Sequence, residues 1–172
     1  MGKFTVLFLA TLGYYSIYWF YKNWSQIGKY QDRNTYPILR AAFSIFFVPQ
    51  LSKELTTYQQ QSQRTYHWKP AVFVLGYIGL VMLSLPLSFA LVNKSISLGW
   101  VWLQMPVLVI QYYLTYQFQL VANHACADPF GKENEKFTPA NHAWIIVGMV
   151  LWFDQLKLLY LVSTGQYDQI GL

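Results

Sequence analysis

Two opposite charges interrupt an apolar stretch near the end of the chain. Asp154 and Lys157 lie three residues apart, so a helix would place them about 60° apart on one face. They fall in the middle of residues 143–164. A charge at the centre of a membrane-crossing helix costs roughly 2.5–3.5 kcal/mol, so it normally pairs or faces a protected interior. Such a pair can relay protons or ions, but more often it fixes helix packing. The expectation here is a buried, mutually compensating packing pair. Upstream, Gln104, Gln111, Thr115 and Gln119 recur within about 80° of helical arc. Gln111 sits at a depth similar to that of Asp154. Asp154, Lys157, Gln104, Gln111 and Thr115 are therefore predicted to form an intramembrane polar cluster. Tyr77, Ser84 and Ser88 make a second stripe. Stripes of this kind can line a narrow aqueous path, although hydroxyls and amides in membrane helices more often bond across the helix interface.

Other reactive side chains point to no chemistry. His124, Cys126, Asp128 and His142 are donor types that zinc accepts, but their spacing fits no paired-ligand pattern and no metal is predicted. Asn141 is placed to cap the last helix and Asn123 to end the one before it. The chain has no G-x-S-x-G, Gly-rich phosphate loop, H-E-x-x-H or C-x-x-C. No catalytic residue and no cofactor are expected, and the chain reads as a non-enzyme. The single cysteine, Cys126, excludes an intrachain disulfide.

The elements that must position these residues are membrane helices. The 172 residues are 55% hydrophobic but only 11% charged, against about a quarter charged in soluble domains. Too few charges remain to solvate a water-facing surface. A crossing helix needs about 20 mostly apolar residues. Residues 4–21, 71–92 and 98–121 qualify without a single charge, and residues 143–164 qualify despite Asp154 and Lys157. The first stretch has a basic residue, Lys3, before it, but no small-x-small cleavage site after it, so it reads as a retained helix. Residues 41–51 are too short to cross, at roughly 17 Å as a helix. An interfacial amphipathic helix over about 36–51 is the better reading. The prediction is an all-α, single-domain integral membrane bundle of four transmembrane helices plus one interfacial helix. Residues 59–63, rich in glutamine, are expected to be a solvated linker. Pro86 and Pro106 fall inside predicted spans, where prolines commonly kink a helix.

Charge sets the orientation. Lys22, Lys29, Arg33, Arg40, Lys53, Arg64 and Lys69 lie between the first two spans, and Lys132 and Lys136 between the last two. The other side holds only Lys3 and Lys94. The positive-inside rule then puts residues 22–70 and 122–142 in the cytoplasm and both termini outside. Trp19, Tyr21, Lys22, Trp24 and Arg40 would contact lipid at the interface. The net charge of +5 fits anionic headgroups, and no nucleic-acid module is present. Expected partners are membrane lipids, another membrane protein, or a second copy of the chain.

Residues 11–24, Thr-Leu-Gly-Tyr-Tyr-Ser-Ile-Tyr-Trp-Phe-Tyr-Lys-Asn-Trp, resemble the opening signature T-x-G-x-Y-x-x-Y-W-F-Y-K-N-W of a set of uncharacterised bacterial membrane proteins. Residues 37–47 are similar to that family's second, Arg-Ala-Phe-Phe-type segment. The resemblance implies a multi-pass protein of the bacterial inner membrane with no established activity. Asp154 and Lys157 stand where the family would have apolar residues. The expected role is a non-enzymatic membrane subunit or scaffold. The alternative is a small transporter or channel component with a polar path near Asp154, Lys157 and Gln111.

Overall fold

The computed structural model describes residues 1–63, 66–93 and 97–166. Arg64 and Lys94, both counted in the charge asymmetry, lie outside the described residues. The chain folds as α1 (Gly2–Ala10), α2 (Tyr15–Tyr30), α3 (Pro37–Ala42), α4 (Ser44–Gln61), α5 (Pro70–Val92), a 3-10 turn (Leu98–Leu103), α6 (Gln104–Ala125) and α7 (Pro139–Ser163). No strand occurs among the described residues. Two helices are long and apolar enough to cross a membrane, Pro70–Leu91 and Pro139–Ser163. Most of each is left uncovered by the rest of the chain. Leu75, Leu83, Leu85 and Phe89 of α5 and Ile146, Val150 and Phe153 of α7 are exposed. A buried core helix of a water-soluble domain would hide such side chains.

The first predicted span is not one helix. A continuous helix over 4–21 was expected, but the chain turns between α1 and α2, with Leu12 at φ 51° and Gly13 at φ 84°. The fully buried Thr11 makes the joint. Its hydroxyl donates to the Leu7 carbonyl at 2.8 Å and accepts from the Tyr15 amide at 2.9 Å, which ends one helix and starts the next. The Leu9 carbonyl, near the end of α1, accepts from the Leu12 amide at 3.2 Å and from the Trp152 indole at 2.9 Å. At nine residues, α1 is only about 13 Å long and cannot cross.

Contacts with α6 show where the two pieces run. Phe4 lies against Tyr112 and Tyr116. Gly13 lies further along, beside Leu108 and Gln111. The chain then reverses, and Trp19 donates to Gln119. The first two helices therefore form a hairpin laid along one half of α6. Its open end meets the loop before α7. The Met1 ammonium donates to the Phe130 carbonyl at 2.6 Å, and Lys3 Nζ reaches Asn134 Oδ1 at 2.9 Å and the Lys136 carbonyl at 3.0 Å. The amino terminus was expected opposite that loop. The fold-back at Leu12–Gly13 brings the two together.

A second hairpin follows. The Thr35 hydroxyl donates to the Trp24 carbonyl at 2.7 Å, and α3 runs back beside α2. After Phe43, α4 returns: Ser44 bonds Tyr77 at 3.1 Å, while Tyr58 meets Tyr30 at 4.7 Å between ring centres. The single interfacial helix expected over 36–51 is thus two helices, and α4 continues through Pro49 to Gln61. The linker expected at 59–63 is also corrected. Gln59 follows Leu51 and Leu55 on the same helix face, is buried, and donates to the Tyr66 carbonyl at 3.0 Å. Pro106 lies in the first turn of α6, where proline removes no needed donor.

The helix α5 runs antiparallel to α6, with Trp68 on Phe118 and Gly76 on Leu114. The helix α7 packs on α1 and the 3-10 turn. Gly148 meets the end of α1 so closely that an added methyl would fall on the Ala10 carbonyl. The main core contains Phe8, Phe20, Trp24, Val48, Leu51, Phe118 and Val121. A small satellite core of Val101, Leu159 and Val162 closes the far end.

Candidate functional site

The end of the molecule that carries both hairpin openings gathers the charge. Lys3 and Lys22 are close enough for mutual repulsion, which adds to burial in pushing the Lys3 ammonium below its usual range. Arg33 pairs with Glu54 at 2.5 Å, and Gln31 donates to the same carboxylate at 2.8 Å. These bonds tie the loop after α2 to α4. Beneath them, the Arg40 guanidinium lies 4.2 Å from the Trp24 ring centre and 5.2 Å from that of Phe47. Desolvation and then Arg33 lower the Arg40 pKa, while Glu54 opposes them. Guanidinium–aromatic stacking favours the cation at a partly desolvated site. Arg40 Nη1 and Trp24 Nε1 are both buried, with no hydrogen-bond partner among the described residues. A cation with an unused donor, at the base of a basic surface, is suited to an anionic group.

Several predicted contact residues take other places. Trp19 and Trp24 were expected at the lipid interface, but both are core residues, with Trp24 fully enclosed. Their place at the end of an apolar stretch suits a belt, yet the hairpin turns them inward. Tyr21 is half-buried, and Lys22 is exposed near the Tyr18 ring at 5.9 Å. Of the expected lipid-contact set, Tyr21, Lys22 and Arg40 remain outside the core.

The predicted polar cluster is not assembled. Asp154 and Lys157 are exposed, and no ion pair joins them. The face of α7 that meets the rest of the chain contains Asn141, Gly148, Leu159 and Val162, while Leu161, in the last turn, is buried on the other side. At 100° per residue, Asp154 and Lys157 lie about 120–180° away from Gly148. They share an outward face, so the expectation of burial fails. Neither does Gln111 reach Asp154. Its side chain lies beside Gly13, and α1 packs against both α6 and α7. Thr115 is buried and donates to the Gln111 carbonyl at 2.9 Å within its own helix. Gln104 is half-buried where the 3-10 turn becomes α6. The amide side chains nearer the basic end hold the first hairpin: Trp19 donates to Gln119, which donates to Asn123 at 2.5 Å, whose amide meets the Met1 sulfur at 2.9 Å.

The loop between α6 and α7 also differs in detail. Asn123 lies within α6 and does not end it. Thr138 is the N-cap of α7, and Asn141 completes a capping box three residues on. His124 stacks on Tyr66 at 4.6 Å. Asp128 accepts from the Lys132 and Glu133 amides at 2.8 and 2.9 Å, which lowers its pKa.

Gly148 and the Arg40–Trp24 stack are the features that sequence reasoning missed. A glycine within an apolar helix was the available signal for the first. The second joins residues 16 apart in separate helices and left no periodic trace. Comparison with family models, curated proteins and solved structures finds no match for this chain.

Proposed function

We propose that the chain is a non-enzymatic, multi-pass subunit or scaffold of the bacterial inner membrane that binds anionic lipid or another membrane protein through its basic end. In this reading α5, α6 and α7 cross the bilayer. The α1–α2 and α3–α4 hairpins dip into it from one side. Non-spanning backbone is tolerated at membrane depth where it is buried in protein. The observation that carries the reading is the division of the surface. Large apolar side chains cover the outer faces of α5 and α7, while Lys3, Lys22, Lys29, Arg33, Lys53, Lys132 and Lys136 belong to the hairpins and the loop bonded to them. That end is cytoplasmic by the positive-inside rule. The amino terminus then lies inside and the carboxyl end of α7 outside. A transport reading gains less support, because α6 uses Gln119, Asn123 and Thr115 in packing.

The test has two parts, both in a Cys126→Ser background. Gln60→Cys should be shielded from a membrane-impermeant thiol reagent in intact cells, and Gln166→Cys should react. Labelling of residue 60 from outside contradicts the topology. Purification in mild detergent should retain an anionic phospholipid or a stoichiometric membrane protein, with retention reduced by Arg40→Ala. A lipid-free preparation without companions contradicts the binding role.

A further inference from the structure

We propose that the outer face of α7 is the contact between two copies of this chain, joined by reciprocal Asp154–Lys157 pairs. The inference rests on α7 crossing the membrane, as in the reading above. Asp154 and Lys157 are both exposed, and among the described residues neither has an ion-pair partner. Hydrocarbon is a poor solvent for either, so charges in spanning helices face protein or water. The end of α1 packs on the opposite, Gly148 side of α7.

The face has a pattern that favours a second α7. Val147, Val150, Asp154 and Lys157 are separated by three, four and three residues, and all four are exposed. Over residues 147–157 that alternation is the seam of a left-handed helix pair, and it ends before Leu161, which is buried within the chain. Ala143, a further seven residues before Val150, is small and also exposed. Small residues let membrane helices approach closely. One Asp and one Lys make the face self-complementary. Across a two-fold axis along the membrane normal, Asp154 of each copy faces Lys157 of the other, only about one helical turn away. Four charges then alternate in sign around the axis, and no net charge is buried. An unrelated partner would have to supply a matching Lys and Asp at the same depth, whereas a second copy brings both.

The experiment uses the full chain in native membranes, with Cys126→Ser throughout. Val150→Cys should form a disulfide-linked dimer on mild oxidation, and Leu85→Cys on the outer face of α5 should not. Asp154→Lys and Lys157→Asp, each added to Val150→Cys, should abolish self-linking. Co-expressed with different tags, these two variants should link to one another, because one copy then offers two lysines and the other two aspartates. Should either variant fail to insert, Asp154→Ala with Lys157→Ala supplies a neutral face. Its dimer should weaken roughly tenfold or more. No Val150→Cys dimer, or one that is indifferent to all these changes, overturns the proposal. Labelling of Gln166→Cys from outside in the same cells separates that outcome from failure of α7 to cross.

Discussion

The first and last apolar stretches of this chain look alike in sequence, yet they fold differently. Residues 4–21 carry no charge and residues 143–164 carry two, so charge alone favours the first as the cleaner membrane helix. The structure makes the first into two helices joined by a turn and the last into one helix of 25 residues. Each stretch contains a glycine with a different task. Gly13 supplies a left-handed backbone at φ 84° that reverses the chain. Gly148 has ordinary helical geometry and supplies absence of bulk, so that the end of α1 can rest on α7. Apolar length reports what a segment can be buried in. Continuity depends on backbone hydrogen bonds, and Thr11 with Gly13 diverts them.

Breaking the contact at Gly148 should have the largest effect. Its neighbours are backbone atoms of Ala10 and Thr11, which cannot swing aside as a side chain would. We expect Gly148→Ala to cost about 3 kcal/mol, near the top of the range for overpacking, seen as a lowered Tm in detergent. An unchanged Tm would mean that α1 does not rest there.

The turn should be less sensitive to added bulk and more sensitive to backbone preference. A residue at Gly13 would meet mainly the flexible Gln111 side chain. Gly13→Val should cost about 2 kcal/mol through left-handed strain, and Gly13→Asn clearly less, because asparagine tolerates that conformation. Equal losses for the two would show that space, not backbone, governs the site.

This contrast also explains what was readable in advance. The spans at 71–92 and 143–164 match α5 and α7 closely, because long, largely apolar stretches signal helices whose side chains the rest of the chain leaves uncovered. The third stretch was read as helix throughout, but it opens as a 3-10 turn over Leu98–Leu103. The helix expected over 36–51 is split at Phe43 and runs on to Gln61, past the charges of Lys53 and Glu54 that bound the apolar run in sequence. The burial of Gln59 depends on the Tyr66 carbonyl, which lies outside its helix. The polar cluster failed for a related reason. Equal depth along two helices says nothing about azimuth, and Asp154 faces away from α6.

The smallest effect should appear in the loop that the amino terminus touches. Asp128 holds this loop through the Lys132 and Glu133 amides, and its folded pKa lies below the ordinary 3.8. A depressed carboxyl pKa contributes order that is present above the unfolded value and is lost as pH falls through the folded one. Proteolytic nicking near Glu133 should therefore stay constant from neutral pH down to the ordinary carboxyl range and rise only below it. Asp128→Ala should raise nicking already at neutral pH. A rise that begins near neutrality in the unsubstituted protein would assign the loop's order to another group.

The first apolar stretch folds back at Leu12–Gly13, so that the amino terminus meets the loop before α7. Lys3→Cys and Asn134→Cys, combined with Cys126→Ser, place thiols at two side chains that bond across this junction at 2.9 Å. A short cross-linker with a thiol-alkylating group at each end, applied to native membranes, should join these positions within one chain. A Lys3→Cys, Gln166→Cys pair should remain unlinked. Failure of the first pair to link, together with labelling of residue 3 from outside intact cells, would contradict the fold-back and restore a crossing by residues 4–21.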